Sequence, residues 1–275
     1  MSKTMATSRT DHEGRSPFER LRLIGMVHLP ALPGSPGCAL PVRRIIDGAV
    51  AEARLLAEAG FDAVIVENFG DAPFAAEEVC RETVASMAVV VDHIVRSVDV
   101  TVGVNVLRND ALSGLAVAAV SGAAFIRVNV LSGVYATDQG MLTGQPRQLC
   151  ARRAAVSQTA RIAADVHVKH AQPISQPDIA LAAEETAYRA GADALIVSGD
   201  ATGRPADLEN ARRVAEAVSD RPVWIGSGVT SETVGQSLGV ADGVIVGSCL
   251  KQDGKATLPL DAGRVEAFMA AVRGA

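Results

Sequence analysis

Eight times after residue 21 the chain repeats one unit: a short β-branched run, a loop, then an Ala-rich amphipathic stretch. The runs fall at 23–29, 63–68, 100–107, 125–130, 164–170, 194–199, 222–228 and 243–250. Each is apolar and bounded by turn residues, the pattern of a strand buried on both faces. Helical periodicity fills the gaps, most clearly at 42–59, 77–96, 178–190 and 207–218, and a last helical stretch at 265–272 closes the chain. Three helical stretches lead into a glycine at the same place, Gly60, Gly122 and Gly191, where a left-handed cap turns the chain toward the next strand. Strands alternating with helices require a parallel sheet, and eight of each within 21–275 predict a single (β/α)8 TIM barrel. An open doubly wound sheet is the rival. Its Gly-rich fingerprint should follow the first strand, where Pro30, Pro33 and Pro36 are unsuited to cradling a dinucleotide. With no linker or break in composition, 21–275 reads as one domain.

Composition agrees. Hydrophobic residues make up 48% of the chain and aromatics only 3%, so the core must be built from Val, Ile, Leu and Ala. Basic residues number 26 against 31 acidic, with no basic block, which argues against a nucleic-acid partner. Cys38, Cys80, Cys150 and Cys249 form no C-x-x-C pair, so reduced thiols in a cytoplasmic protein are expected. Residues 1–20 contain no apolar signal core and read as a disordered leader. The longest uncharged stretch, 111–126, is shorter than the roughly 18 residues of a membrane span. Self-association into a homo-oligomer is common for such barrels.

In a closed barrel, alternate strand residues point inward and the C-terminal strand ends carry the site. The fifth run sets Asp165, His167 and Lys169 on one face against valines on the other, and the fourth sets Arg127 and Asn129 likewise. Asn105 lies in the third run, Glu67 near the end of the second and His28 in the first. A buried ion network, Arg127 with Glu67 or Asp165, is the plainer reading of any one of these. For the whole set it is weaker, because buried charge rarely gains stability over apolar packing. Gly226, Ser227 and Gly228 after the seventh run, with Gly247 and Ser248 after the eighth, have the composition and place of a phosphate site. Their structural reading is tight turns alone. Asp71, Asp138 and Ser198 lie in loops at the same end, as do Asp110, Lys251 and the stretch 199–203. Asp71 and Asp110 are also candidates for simple helix caps. Glu67, Asp71 and Asp138 with His28 or His167 have the donor chemistry for Mg²⁺ or Zn²⁺, although no H-x-x-x-H spacing supports a metal.

Several of these segments resemble the BtpA/SgcQ family: IGMVHLPALPGSP at 24–36, ENFGDAPF at 67–74, GVNVLRND at 103–110 and FIRVNV at 125–130. The likeness continues through TDQG at 137–140, DVHVKHA at 165–171, VSG at 197–199 and ADGVIVG at 241–247. The stretch ATLPLD at 256–261 departs from the Asn-Pro-Val-Asp pattern of that family. The resemblance implies a phosphate-binding α/β barrel. Other members resemble sugar-phosphate or nucleoside-metabolism enzymes. In phototrophs the family name is tied to photosystem I biogenesis at the thylakoid surface.

Two functions compete. The first is an enzyme acting on a phosphorylated sugar or a nucleoside-derived phosphate, as a lyase, an isomerase or in glycosidic cleavage. In it, 226–228 and 247–248 hold phosphate and Lys169 does the chemistry as a base or Schiff-base amine. Glu67 or Asp165 shuttles protons, His167 shares the inward face, and Asn105, Arg127 and Asn129 orient hydroxyls or stabilise an enolate. The second is a non-catalytic assembly factor, which predicts a large apolar surface patch or an amphipathic membrane-facing helix.

Overall fold

The computed structural model describes residues 16–199 and 206–274. Among them, eight parallel strands close into a barrel: β1 (Leu23–His28), β2 (Ala63–Glu67), β3 (Thr101–Asn105), β4 (Phe125–Val128), β7 (Arg161–Val166), β9 (Ala194–Val197), β10 (Val223–Ile225) and β11 (Gly243–Val246). Around the ring they run β1-β11-β10-β9-β7-β4-β3-β2. Two short strands follow β4, β5 (Val134–Thr137) and β6 (Gly140–Thr143), and β8 (Ala171–Pro173) follows β7. These three form a small antiparallel sheet at the end of the barrel where β4 and β7 finish. The sequence pattern gave only a long loop there.

Helices α1 (Val42–Ala59), α2 (Arg81–Val95), α3 (Ala111–Ser121), α4 (Pro146–Val156), α5 (Ile179–Glu184), α6 (Leu208–Ala217), α7 (Val234–Leu238) and α8 (Ala262–Arg273) connect the strands. α1 shows why: Ile45, Ala49, Ala53 and Leu56 recur at helical spacing and are its buried face. Gly60, Gly122 and Gly191 all have positive φ, as the capping motif requires. Asp110 caps α3 through the Ser113 N–H, and its other oxygen takes the Val79 N–H.

The alternation along the strands is resolved into two cores. Outward residues, among them Val27, Val64, Val104, Val128, Val197 and Val246, pack under the helices. Inward residues from the lower strand positions, including Ile24, Ile65, Phe125, Ile196, Trp224 and Ile245, fill the barrel. Phe18 joins them, its ring edge-on to Phe125 at 5.5 Å and to Trp224 at 5.3 Å. The segment expected to be leader therefore begins to contribute structure before residue 21: Phe18–Arg20 is a 3-10 turn, and Phe18 stoppers the N-terminal end of the barrel.

The fifth barrel strand ends at Val166 rather than continuing to 170, because His167 takes a left-handed conformation with φ +52° and His170 does so again with φ +56°. A β-strand cannot pass through such residues, so the expected Asp165–His167–Lys169 alternation is broken at its middle member.

Candidate functional site

One step above the apolar layer, each barrel strand changes chemistry. Two residues on from Met26, Ile65, Gly103, Phe125, Ala163, Ile196, Trp224 and Ile245 come His28, Glu67, Asn105, Arg127, Asp165, Ser198, Gly226 and Gly247. The register brings four of these side by side: His28 opposite Glu67, Glu67 opposite Asn105, and Asn105 opposite Arg127. The C-terminal mouth thus carries a polar layer on an apolar floor.

Asp165 organises one half of it. Arg127 grips the carboxylate twice, Nε to Oδ2 at 2.9 Å and Nη2 to Oδ1 at 2.8 Å. Asn129 Nδ2 donates to Oδ2 at 3.0 Å and the Ser198 hydroxyl to Oδ1 at 2.9 Å. Four donors fill the acceptor positions of an ionised carboxylate. Asp165, expected as a candidate proton shuttle, thus has the bonding of an anchor for this half of the layer. Burial works against the Arg127 charge, but the bonded Asp165 outweighs it and holds the guanidinium above its usual range. Asn129 Oδ1 is buried and accepts no hydrogen bond among the described residues.

Glu67 and His28 form the other half. Asn105 Nδ2 donates to Glu67 Oε2 at 2.6 Å, while Oε1 stands 3.8 Å from His28 Nε2. Burial pulls the His28 pKa down to about 4, more than the nearby Glu67 carboxylate restores, so the imidazole is neutral at pH 7. Its Nδ1 lies 3.0 Å from the Ala256 carbonyl, which only accepts. That contact assigns the proton to Nδ1 and leaves a lone pair on Nε2, on the Glu67 side. The ring stacks on Phe69, centroids 4.6 Å apart.

Lys169 reaches the layer from the turn after β7. It lines a narrow cavity with His28, Glu67, Arg127, 226–228, Gly247 and Ser248. Burial lowers its pKa, Arg127 lowers it further, and Glu67 and Asp165 only partly oppose them. The cavity measures about 30 Å³, room for a small charged group and not for a whole metabolite. A cleft of about 570 Å³ under the small sheet, lined by Asp138, His167, His170 and Ser198 among others, adjoins this end of the barrel. The glycines let the backbone close in: a Cβ on Gly226 would stand 2.5 Å from Ile196 Cγ2 and 3.6 Å from Arg127 Nη2.

Other candidates lie elsewhere. His167, expected on the inward face, lines the cleft instead, with Nε2 2.8 Å from the Gln176 carbonyl and its ring edge-on to Tyr135. Asp71 faces away from the cavity: it receives the Leu32 N–H at 2.7 Å and Asn68 Nδ2 at 2.9 Å, tying the β1 loop to the β2 loop. Burial raises its pKa. Asp138 is exposed on the β5–β6 hairpin. Lys251 is buried in an ion pair with Glu52 of α1 at 2.6 Å. Among the described residues no three His, Cys, Asp or Glu converge to hold a metal, so the donor set expected for Mg²⁺ or Zn²⁺ is dispersed. Asp200 to Gly203 of the loop after β9 lie outside the described residues. Sequence reasoning placed Arg108 in the loop after the third run without a role, yet it is buried against the site, Nη2 donating to the Lys169 carbonyl at 2.5 Å. No local signal in the sequence marks a loop arginine as buried.

Residues 19–274 match the family described as the BtpA family. The photosystem I biogenesis protein BtpA of Synechocystis is 45% identical over 250 residues, covering 91% of this chain and 87% of that one. An uncharacterized Methanocaldococcus jannaschii protein is 44% identical over 249 residues, covering 90% and 94%. Among solved structures, phosphoribosyl anthranilate isomerase from Thermus thermophilus superposes with a TM-score of 0.57 at 12% identity, covering 92% of this chain and 99% of that one. A structure described as native KDPGal gives 0.56 at 19% identity, covering 93% and 96%. At such identities these two establish the barrel fold alone. No helix among the described residues is long and apolar enough to cross a membrane.

Proposed function

The chain belongs to the BtpA family, and on that premise we propose that it is an enzyme acting on a phosphorylated sugar or nucleoside-derived phosphate at the C-terminal mouth of its barrel. One observation carries this reading: half-buried Lys169, neutral His28 and the glycine-bearing turns 226–228 and 247–248 all line one cavity. The Gly226 N–H is given to the Val197 carbonyl, so the phosphate is held by the turn at 227–228, which the side-chain-free Gly226 lets close in, and by backbone N–H groups at the start of the turn Ser248–Leu250. Lys169, its pKa lowered, serves as a base or as the amine that adds to a substrate carbonyl. Glu67, with Oε1 open beside His28 Nε2, takes and returns the proton. Arg127 lines the cavity while paired with Asp165, and with Asn129 it fixes that carboxylate beside the substrate site.

Thermal unfolding against sugar phosphates, nucleotides and their dephosphorylated analogues tests the site. Phosphate esters at about 100 times Kd should raise Tm by about 5 °C, from the roughly 2.7 kcal/mol of mass-action stabilisation. Their dephosphorylated partners should do nothing. On the substrate so found, Lys169→Ala should lower kcat by about a thousandfold or more; unchanged turnover would refute the assignment. Borohydride reduction during turnover then separates a trapped Lys169 adduct from simple base catalysis.

A second reading, a non-catalytic assembly factor, draws on the name of the Synechocystis relative. It is also supported by an apolar cleft of about 570 Å³ lined in part by Leu40, Ile45, Leu55, Leu258 and Pro259. Under this reading no phosphate ester shifts Tm and the protein sediments with host membranes.

A further inference from the structure

Arg127 is committed to Asp165, which among the described residues leaves Lys169 and Arg108 as the cations at the mouth able to meet an anion. Arg108 is 4% exposed, and its one described hydrogen bond goes to a backbone carbonyl, that of Lys169. Among the described residues it forms no ion pair. Asp165, Asp138 and Glu67 are near enough to favour its charge. The first is saturated by Arg127, Asn129 and Ser198, the second is exposed on the hairpin, and the third is bonded to Asn105. A guanidinium has five N–H donors, and one buried without a bonded carboxylate is costly until an anion completes it.

Topology says where that anion would lie. Arg108 follows β3, and 226–228 follow β10; the strand order sets β3 and β10 four places apart whichever way the ring is followed. The two therefore oppose one another across the mouth. Lys169 bridges them, its carbonyl on Arg108 and its side chain in the cavity with 226–228. Arg108 also neighbours Asp138 and His170, which line the larger cleft.

We propose that Arg108 is a second anion-binding residue, and that the substrate is a phosphate ester carrying a further acidic group at the end remote from the first phosphate. This rests on the phosphate-ester reading above. The acidic group is a carboxylate or a second phosphate, both of which accept from a guanidinium fork.

Calorimetric titration of the full chain with two matched pairs of probes tests it. Glucose 6-phosphate and 6-phosphogluconate differ by a carboxylate, and fructose 6-phosphate and fructose 1,6-bisphosphate by a phosphate. In at least one pair the doubly acidic probe should bind roughly tenfold tighter, the scale of one charge-assisted contact. Arg108→Gln should erase that preference while shifting the singly acidic probe by less than about threefold. Arg108→Lys, which keeps the charge, should retain part of it. Equal weakening of both members of a pair by Arg108→Gln would reduce Arg108 to a brace for the Lys169 carbonyl and overturn the proposal. Singly acidic probes that bind without any preference for their partners would also overturn it. Ser248→Asp sets a like charge in the first phosphate site and should weaken every probe. If the unaltered protein binds none of them, it is the phosphate-ester reading itself that fails.

Discussion

The lower and upper halves of the barrel interior are built on the same strands, two residues apart, with opposite chemistry. Phe125 and Trp224 sit in the lower half, Arg127 and Gly226 directly above them on the same inward face. The lower half needs no partner beyond apolar contact, and its packing stabilises in proportion to area buried. The upper half holds Glu67, Arg127 and Asp165, groups that cost free energy to bury and recover it only through bonds with one another. Direction of facing does not distinguish the halves; height along the strand does. The stable floor lets the mouth be assembled from residues that a core would otherwise exclude.

The largest effects should come from breaking each half in its own way. Phe125→Ala removes a ring packed on Phe18 and Trp224 and should cost about 3–5 kcal/mol in denaturant unfolding, by the cavity it leaves. Arg127→Met should cost a similar 3–5 kcal/mol for a different reason, leaving Asp165 buried without its cation. The double variant Arg127→Met with Asp165→Leu extends the apolar floor upward and should recover most of that loss. A double variant as unstable as the sum of its singles would show that the upper half is held by shape and not by charge pairing.

The height at which the chemistry changes was legible in part. Period-two alternation in 125–130 and 63–68 marks Arg127, Asn129 and Glu67 as opposite in facing to the valines, and the fold places them there. Closure of eight units into a ring follows from their number and from the parallel connections. Alternation failed at 165–169, because a left-handed His167 inside a run of valines carries no compositional mark, and its ring turns instead to Gln176 and Tyr135. Asp71 read as a pocket group because loop acids at this end of a barrel are common there. It instead pins Leu32, a long-range partner invisible in local sequence. The burial of Arg108, a loop residue by sequence, rests in the same way on a long-range partner, the Lys169 carbonyl.

His28 sits at the boundary between the halves, two residues above Met26, and its titration should appear in stability. Its pKa is near the ordinary 6.5 when unfolded and about 4 when folded, so the unfolded chain binds more protons between those values. Stability from this group is therefore complete above pH 6.5 and is lost as pH falls toward 4, by roughly 3 kcal/mol at most. Unfolding free energies measured from pH 4 to 7 should slope less steeply in His28→Gln than in the unaltered chain. Parallel curves would mean that His28 is hydrated and outside the layer.

The smallest effect bears on how the upper half is held. Lys169 stands between two non-glycine residues in left-handed conformation, His167 and His170. Each such residue costs about 1–2 kcal/mol relative to its ordinary backbone regions, a cost absent from the apolar floor, where the strands are regular. His170→Gly removes that cost but gives the unfolded chain more freedom, so the net gain should be only about 0.5–1 kcal/mol. If the strain serves to aim Lys169, the same substitution should weaken phosphate-ester binding or turnover while Tm rises. Opposite signs in the two measurements would tie the strain to function. A gain in Tm with no loss of binding would mean that the turn merely tolerates its histidines, and that Lys169 is aimed by Arg108 on its carbonyl.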